Sequence, residues 1–330
     1  MKIYSFMFMN MVILGTMVTT TAYSWMAMWL GLEINLMSII PILASTKTPK
    51  SAEASIKYFI SQAIASLILL MSMISLNLFD QLNFWISNPT MWIMNSALLL
   101  KMGAAPLHFW FPEVLSGLSW MNCFTVMTWQ KIAPMSILMN SFIDKTLITM
   151  SIILSALISV ILIFNQSNMR KIMAYSSINH LSWMLTSMFY SSNLWLIYFS
   201  IYSIINLMLT IMFKLNSINS VNQIFFLKSS LNKIFSSISM LTLAGMPPTL
   251  GFMPKWFIIQ FLTMNKYFML PLILIISTII TLSIYFSLAI SAFTLSINQM
   301  KLKMNFSMNT KITLIFSFGL ILSTLAFNLI

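Results

Sequence analysis

The sequence predicts an all-α, polytopic membrane protein, and three observations lead to this fold class. The 330 residues are 59% hydrophobic and only 7% charged. Their mean hydropathy is +0.91, which lies outside the range of soluble globular domains. Apolar stretches of about 20 residues, long enough to cross a bilayer as a helix, recur along the chain. Helices are expected because lipid offers no hydrogen-bond partner to an unpaired backbone group.

Eleven apolar stretches are candidates for transmembrane helices, and short polar connectors separate several of them. The single cysteine, Cys123, lies inside the fifth stretch, so an internal disulfide is not expected. The N-terminal residues run directly into the first stretch, so no cleaved signal sequence is expected there. In chain order the stretches cover approximately residues 3–22, 24–45, 57–78, 90–111, 118–142, 147–165, 172–190, 193–213, 236–260, 268–296 and 312–330.

Basic residues are divided unequally between the connectors. With eleven helices, twelve basic residues lie on the side of the N-terminus, among them Lys214, Lys228 and Lys233, and only Lys145 and Lys266 lie on the other side. Because basic connectors favour the negative side of a membrane, the N-terminus is expected in the cytoplasm or an organelle matrix, with the C-terminus opposite. The net charge of +12 is interpreted as contact with anionic phospholipid headgroups, and nucleic acid is not an expected partner.

Three lysines and one glutamate lie inside the apolar stretches: Lys101, Lys131, Lys255 and Glu33. A lysine at mid-membrane depth costs roughly 2.5–3.5 kcal/mol even on a lenient insertion scale. Ionisable side chains within transmembrane helices are typical of proton or ion paths. A lysine can serve such a path only where burial disfavours its charged form, and arginine cannot replace it because arginine does not deprotonate.

Each of these residues also has a structural interpretation. Glu33 either neutralises a lysine or controls the charge state of Lys101. Lys101 and Lys131 are too central in their helices for their ammonium groups to reach an interface. Lys255 is nearer a helix end, so its flexible stem could carry the ammonium to the headgroups.

Two histidines likewise have both a structural interpretation and an interpretation as proton-transfer residues. His180 lies in the middle of SSINHLSWM, where it is either a hydrogen-bonded core residue or part of a water wire with neighbouring serines. His108 follows a proline and either bonds a freed carbonyl or transfers protons.

Two of the predicted helices carry the same interruption. The pattern G-x-x-P-x-x-x-aromatic-x-P occurs in the fourth stretch and again 142 residues later in the ninth. Proline removes a backbone donor and glycine loosens the helix, so both helices should break near mid-membrane. The stretches are five apart, so two such repeats would have opposite orientations, as in many ion-coupled transporters. Two unrelated proline kinks are the alternative. The predicted break residues are Gly103, Pro106, Gly245, Pro247 and Pro248.

A family resemblance rests on several motifs in order along the chain. They are WLGLEINLMSIIP at 29–41, SAEASIKYF at 51–59, LLLKMGAAPLHFWFPEV at 98–114, TWQKIAP at 128–134, MRKIMAYSSINH at 169–180 and AGMPPTLGFMPKW at 244–256. They resemble the subunit 2 family of mitochondrial NADH–ubiquinone oxidoreductase (respiratory complex I). The SSINH and GMPP strings also resemble the wider family of antiporter-like subunits, which includes cation/proton antiporters.

The resemblance implies a specific architecture. It implies two inverted five-helix repeats with discontinuous helices, residues 1–143 and 144–297, followed by a connector and a final transmembrane helix in residues 298–330. It also implies the mitochondrial inner membrane as the location, with the N-terminus in the matrix and the C-terminus in the intermembrane space.

The implied activity is proton translocation, driven by NADH oxidation and ubiquinone reduction elsewhere in the complex. The implied partners are other membrane-arm subunits, both antiporter-like and small, together with phospholipids. NAD, FMN, iron–sulfur clusters and ubiquinone are expected in other subunits. No cofactor, metal or redox centre is expected on this chain, whose sequence carries no dinucleotide fingerprint or iron–sulfur cysteine set.

The resemblance also implies roles for individual residues. Glu33 would be the intramembrane acid of the first repeat and Lys101 its partner. Lys131 would link the two halves, and Lys255 would lie toward the exit of the second repeat. His180 is the further candidate for proton transfer. The chain keeps the family's residue at the first four of these positions.

Two other functions compete with this interpretation. One is a stand-alone or multi-subunit cation/proton antiporter; the eleven-helix form, which resembles the mitochondrial one, argues against it, and sodium-dependent flux in the purified single protein would favour it. A scaffold that only joins neighbouring membrane subunits would tolerate replacement of the buried lysines without loss of proton pumping.

Overall fold

The computed structural model describes residues 2–44, 48–81, 87–141, 145–225, 230–247 and 249–294, and its regular structure in these residues is α-helical. Segments rich in Leu, Ile, Met and Phe form most of the helices. The helices are α1 (Lys2–Thr21), α2 (Trp25–Leu43), α3 (Pro49–Gln81), α4 (Ser87–Met102), α5 (Trp110–Gly117), α6 (Trp120–Met127), α7 (Trp129–Asn140), α8 (Lys145–Ile163), α9 (Met169–Tyr190), α10 (Ser192–Leu215), α11 (Val221–Phe225), α12 (Ser230–Ala244), α13 (Phe252–Met264) and α14 (Met269–Thr294).

Several helices have the length and composition of transmembrane segments. Among the described residues, five continuous helical stretches are long and apolar enough to cross a membrane. The count of eleven transmembrane helices stays a prediction, and the eleventh stretch, 312–330, lies outside the described residues. The five stretches are Trp25–Leu43, Pro49–Leu76, Lys145–Ile163, Ser192–Leu215 and Met269–Ile290.

The chain forms two compact units, Met1–Ser155 and Ala156–Ile330, which divide within α8. The first unit contains α1 to α7, and the second contains α9 to α14. The predicted segments 1–143, 144–297 and 298–330 stay a prediction, and residues 298–330 are not among those described.

The helices α1 and α2 of the first unit approach each other through glycines. A Cβ atom at Gly31 would lie 2.6 Å from Cγ2 of Thr19 and 2.9 Å from the backbone oxygen of Gly15. A Cβ atom at Gly15 would lie 2.8 Å from the backbone nitrogen of Asn35. Small residues allow helix backbones to come this close. The crossing fixes the helix that carries Glu33 against its neighbour.

The helix α4 ends in a left-handed glycine cap. Gly103 has φ +73°, its N–H donates to Leu100, and the N–H of Ala104 donates to Leu99. These two bonds make a Schellman motif, which satisfies carbonyls at a helix end. The helix α5 begins seven residues after the glycine, at Trp110.

The helix α12 ends in the same way. Gly245 has φ +83°, its N–H donates to Thr242, and the N–H of Met246 donates to Leu241. The helix α13 begins at Phe252, again seven residues after the glycine. The two interruptions therefore share a backbone motif as well as a sequence pattern, while the predicted break residue Pro248 is outside the described residues.

The predicted stretch 118–142 differs from a single continuous helix. It contains α6 and α7, which meet at Thr128 with φ −117° and ψ −70°. The Thr128 hydroxyl donates to the carbonyl of Phe124 at 2.7 Å. A threonine that bonds back to the preceding turn can bend a helix. This bend lies three residues before Lys131.

Candidate functional site

Lys101 lies in the last turn of α4 and is only 6% exposed. Two side chains from neighbouring helices bind carbonyls in this turn. Gln62 donates to the carbonyl of Lys101 at 3.3 Å, and the indole of Trp110 donates to the carbonyl of Leu100 at 3.1 Å. The end of α4 is therefore anchored to α3 and α5, and the lysine side chain is enclosed.

Glu33 interacts with Lys101 without a direct ion pair. Its carboxylate is close enough to the lysine for electrostatic interaction. Among the described residues, however, the ion pairs within 4.0 Å join Lys57 to Glu53 and Glu113, and none joins Glu33 to Lys101. The Oε1 atom of Glu33 is buried and has no hydrogen-bond partner among the described residues. The two groups can therefore influence each other's charge without being held in one fixed geometry.

Lys131 lies on α7 and is almost fully buried, at 1% exposure. Its Nζ atom is 5.1 Å from the centroid of the Phe111 ring, a distance at which the ring face stabilises a cation. The ring carbons Cδ2 and Cγ of the same residue would lie 3.1 and 3.2 Å from a Cβ atom at Gly103. The ring of Phe111 thus contacts both the glycine that ends α4 and the lysine of α7.

A chain of neutral polar side chains joins three helices beside these lysines. The hydroxyl of Tyr58 on α3 donates to Oε1 of Gln130 on α7 at 3.2 Å. The Nε2 atom of Gln130 donates to Oδ1 of Asn35 on α2 at 2.9 Å. Asn35 and Gln130 lie two and one residues from Glu33 and Lys131. We name Asn35, Gln130 and Tyr58 the amide bridge, because it fixes the helices that carry these two ionisable groups.

Lys255 lies on α13 in the second unit and is 5% exposed. Its Nζ atom donates to the carbonyl of Ala244, the last residue of α12, at 2.7 Å. It also lies 5.9 Å from the centroid of the Trp183 ring. The ammonium therefore binds the end of α12 within the unit. It does not extend to the headgroups, which was the structural alternative considered from the sequence.

His180 lies on α9 and is buried. Its Nδ1 atom is 2.8 Å from the hydroxyl of Tyr198, and its Nε2 atom is 3.1 Å from the carbonyl oxygen of Leu243. The ring of Tyr202 lies against the imidazole, with centroids 5.0 Å apart. The histidine is therefore fixed on three sides, and one of its partners belongs to the end of α12.

The carbonyls of Leu243 and Ala244 are available because of the sequence that follows them. A continuing helix would offer them the N–H groups of residues 247 and 248, and both of those residues are prolines. His180 and Lys255 supply the missing donors. The double proline thus creates two acceptors at one helix end, and the two candidate proton-carrying residues of the second unit occupy them.

His108 lies between α4 and α5 and is buried at 1% exposure. Its Nδ1 atom is 3.3 Å from the carbonyl oxygen of Pro106, so this nitrogen acts as the donor. Its Nε2 atom is buried and has no hydrogen-bond partner among the described residues. The structure thus contains the carbonyl contact considered from the sequence, and it leaves the second nitrogen available.

Two parts of the site were not found from the sequence, and one lysine outside the site was placed wrongly. The amide bridge and Tyr198 depend on contacts between distant segments, and only the position of Gln130 next to Lys131 was a usable signal. Lys233 was assigned to a connector, but it lies in α12 and is buried. That assignment was wrong because α12 begins six residues earlier than the predicted stretch. Among the described residues, no three His, Cys, Asp or Glu side chains come together as a metal site requires.

Known proteins resemble this chain over most of its length. Residues 22–281 match the family described as NADH:quinone oxidoreductase/Mrp antiporter, transmembrane. NADH-ubiquinone oxidoreductase chain 2 of Anopheles gambiae is 45% identical over 325 residues, which cover 96% of this chain and 95% of the relative. The chain 2 protein of Locusta migratoria is 43% identical over 304 residues, covering 89% and 86%.

Solved structures share the fold at low sequence identity. A chain in respiratory complex I from Thermus thermophilus with bound aureothin aligns with a TM-score of 0.80 and 18% identity, covering 98% of this chain and 78% of the other. A chain of the Mrp complex from Dietzia sp. aligns with a TM-score of 0.69 and 15% identity, covering 86% and 59%. With the sequence matches, these results show that the chain belongs to the NADH:quinone oxidoreductase/Mrp antiporter transmembrane family, alongside the chain 2 proteins of NADH-ubiquinone oxidoreductase.

Proposed function

We propose that this chain is a proton-translocating core subunit in the membrane arm of respiratory complex I. The observation that carries the proposal is the enclosure of three lysines beside bends and breaks in apolar helices. A buried lysine can take up and release a proton. Placing a lysine at mid-membrane depth costs roughly 2.5–3.5 kcal/mol, and such residues in transmembrane helices are typically functional. The identity of 39–45% with chain 2 proteins supports the assignment to complex I.

The proposed proton path uses both units. In the first unit, the charge of Glu33 affects the protonation of Lys101, and the charge of Lys101 affects that of Glu33. Lys131 is the next residue to carry the proton. In the second unit, His180 and Lys255 carry the proton at the end of α12. The protein buries these groups and positions them beside helix ends and bends. The cationic positions hold lysine, which can release a proton, rather than arginine, which cannot.

The proposal includes a location and partners. The chain would span the mitochondrial inner membrane as eleven helices in two inverted repeats, with its N-terminus in the matrix and its C-terminus in the intermembrane space. Other antiporter-like and small membrane-arm subunits would be its neighbours, with phospholipids around them. NADH oxidation and ubiquinone reduction would take place in other subunits, which would bind NAD, FMN, iron–sulfur clusters and ubiquinone.

A cation/proton antiporter is the second candidate function. The alignment with a chain of the Mrp complex favours it, with a TM-score of 0.69. An antiporter would exchange sodium or another cation for protons without a link to electron transfer. Proton movement that depends on sodium and persists without ubiquinone reduction would support it over the complex I proposal.

Replacement of Lys131 by arginine tests the proposed function. Arginine keeps the positive charge and the contact with Phe111, so a structural cation should survive. It does not release a proton near neutral pH, so a carrier should fail. We expect Lys131→Arg and Lys131→Ala complexes to assemble and to pump at least tenfold fewer protons per second than the wild type. The control is Lys214→Arg at an exposed lysine near the end of α10.

The measurements are the number of protons moved per second and the number moved per electron, both in assembled complex reconstituted in vesicles. Wild-type pumping by the Lys131→Arg complex would remove Lys131 from the path and favour the scaffold function.

A further inference from the structure

Two hydrogen bonds determine which ring nitrogen of His180 carries the proton. The Nε2 atom lies 3.1 Å from the carbonyl oxygen of Leu243. A carbonyl oxygen can only accept, so Nε2 must bear the hydrogen of this bond. In a neutral imidazole the Nδ1 atom then has a lone pair. It accepts the hydrogen of the Tyr198 hydroxyl, 2.8 Å away.

Tyr198 is firmly placed for this contact. It lies on α10, one turn before Tyr202, and only 1% of the residue is exposed. The centroid of its ring is 6.0 Å from that of His180, while the Tyr202 ring approaches the imidazole at 5.0 Å. The two tyrosines thus enclose the imidazole. The Leu243 carbonyl requires the hydrogen on Nε2, and the Tyr198 hydroxyl donates to the lone pair that this leaves on Nδ1.

The orientation of His180 matters because of what lies beside its other nitrogen. The Nε2 hydrogen points to the carbonyl of Leu243, and the next carbonyl, of Ala244, accepts from Lys255 at 2.7 Å. If the imidazole adopted the other tautomer, Nε2 would present a lone pair to a carbonyl oxygen. The two acceptors would repel each other, and the Leu243 carbonyl would lose its donor.

We propose that Tyr198 is a positioning residue for proton transfer in the second unit. Its hydroxyl holds His180 in the tautomer that carries the proton on Nε2, so the proton-bearing nitrogen faces the helix end shared with Lys255. Tyr198 acts only through His180 and does not itself carry the transferred proton. The inference rests on the proposed function, because it assigns Tyr198 a role in the path that includes His180 and Lys255.

A double-mutant cycle tests this inference. Tyr198→Phe, His180→Gln and the double variant are compared in assembled complex for ubiquinone reductase turnover and protons moved per electron. Tyr198→Phe removes one oxygen and keeps the ring, so assembly should be normal. We expect it to lower turnover by roughly 2- to 10-fold, the factor for the loss of one hydrogen bond. In the His180→Gln background the same change should have no further effect, because the residue through which it acts is gone.

A second buried tyrosine provides the matched control. Tyr285 on α14 is also 1% exposed, and it is not a partner in either of the two His180 hydrogen bonds described above. Tyr285→Phe should leave turnover within about 2-fold of the wild type, and its effect should add to that of His180→Gln.

Three outcomes would overturn the inference. Wild-type turnover in Tyr198→Phe would show that the hydroxyl positions nothing of consequence. Additive losses for Tyr198→Phe and His180→Gln would show a structural role independent of the histidine. Full turnover in His180→Gln would remove the residue on which Tyr198 acts, while the proposed function would still be judged separately by the Lys131 variants.

Discussion

His180 and Lys255 donate hydrogen bonds to the carbonyls of two consecutive residues, Leu243 and Ala244, at the end of α12. The histidine comes from α9 and the lysine from α13, so the helix end brings together groups that are 75 positions apart in the sequence. This convergence brings the two proposed proton carriers of the second unit to one helix end. In the first unit the carbonyl of Lys101, which corresponds to that of Leu243, accepts from Gln62, and the preceding carbonyl, of Leu100, accepts from Trp110; neither donor titrates.

Replacement of Lys101 by methionine should preserve assembly and abolish coupled turnover. Methionine keeps an unbranched apolar stem in the buried position but cannot hold a proton. We expect ubiquinone reductase activity coupled to pumping to fall at least tenfold, measured as proton yield in reconstituted complex. Lys214→Met, at an exposed lysine, is the control and should behave as the wild type. A normal proton yield in the Lys101→Met complex would contradict the assignment.

Replacement of Glu33 by glutamine should lower turnover severalfold. The amide removes the negative charge that interacts electrostatically with Lys101 and favours its protonated form. Glu33→Asp keeps the charge at a shorter reach and should be milder. Steady-state turnover of the three complexes is the measurement. Full activity in Glu33→Gln together with an inactive Lys101→Met complex would show that the two residues do not act as a pair.

Replacement of Gln130 by leucine should destabilise the first unit. The change leaves the side-chain Oδ1 of Asn35 and the Tyr58 hydroxyl without their partner. Each unsatisfied buried group lowers the free energy of unfolding by about 1–3 kcal/mol. Thermal unfolding of the detergent-solubilised complex should show a lower midpoint. Gln260→Leu is the control, because Gln260 is a half-buried glutamine of α13 outside the amide bridge. The double variant Asn35→Leu/Gln130→Leu should lose less stability than the two single losses added together; strict additivity would show that the bridge is not a unit.

Replacement of Gly31 by valine should separate α1 from α2. Its Cβ atom alone would lie 2.9 Å from the backbone oxygen of Gly15, and backbone atoms cannot move aside as a side chain can. Overpacking of this kind costs about 1–3 kcal/mol. The amount of assembled complex on native gels should fall, whereas Leu30→Val, at the neighbouring residue of α2 that is 46% exposed, should assemble normally. Equal assembly of both variants would mean that the helices tolerate a wider separation.

The sequence predicted the helical fold class and the positions of the principal helices, because a helix that crosses lipid needs about 20 consecutive apolar residues. It also identified Gly103 and Gly245, since glycine followed by proline has few structural uses in an apolar helix. It did not identify Tyr198 as the partner of His180, because that contact depends on how α9 and α10 are rotated about their axes. The bend at Thr128 was missed for a related reason: a hydroxyl that bonds the preceding turn is common in helices that stay straight.

The hydrogen bond from Lys255 to Ala244 has a consequence for how the two units respond to their surroundings. The end of a helix carries a partial negative charge of about half an electron, and no change of pH can remove it. Residues 145–330 contain no aspartate or glutamate, so within that part of the sequence the counter-charge for Lys255 is backbone alone. Lys101 faces a side-chain acid, Glu33, whose charge can be switched off by a proton. Lys101 therefore has a side-chain carboxylate as its counter-charge, whereas Lys255 has a helix end whose partial charge is the same at every pH.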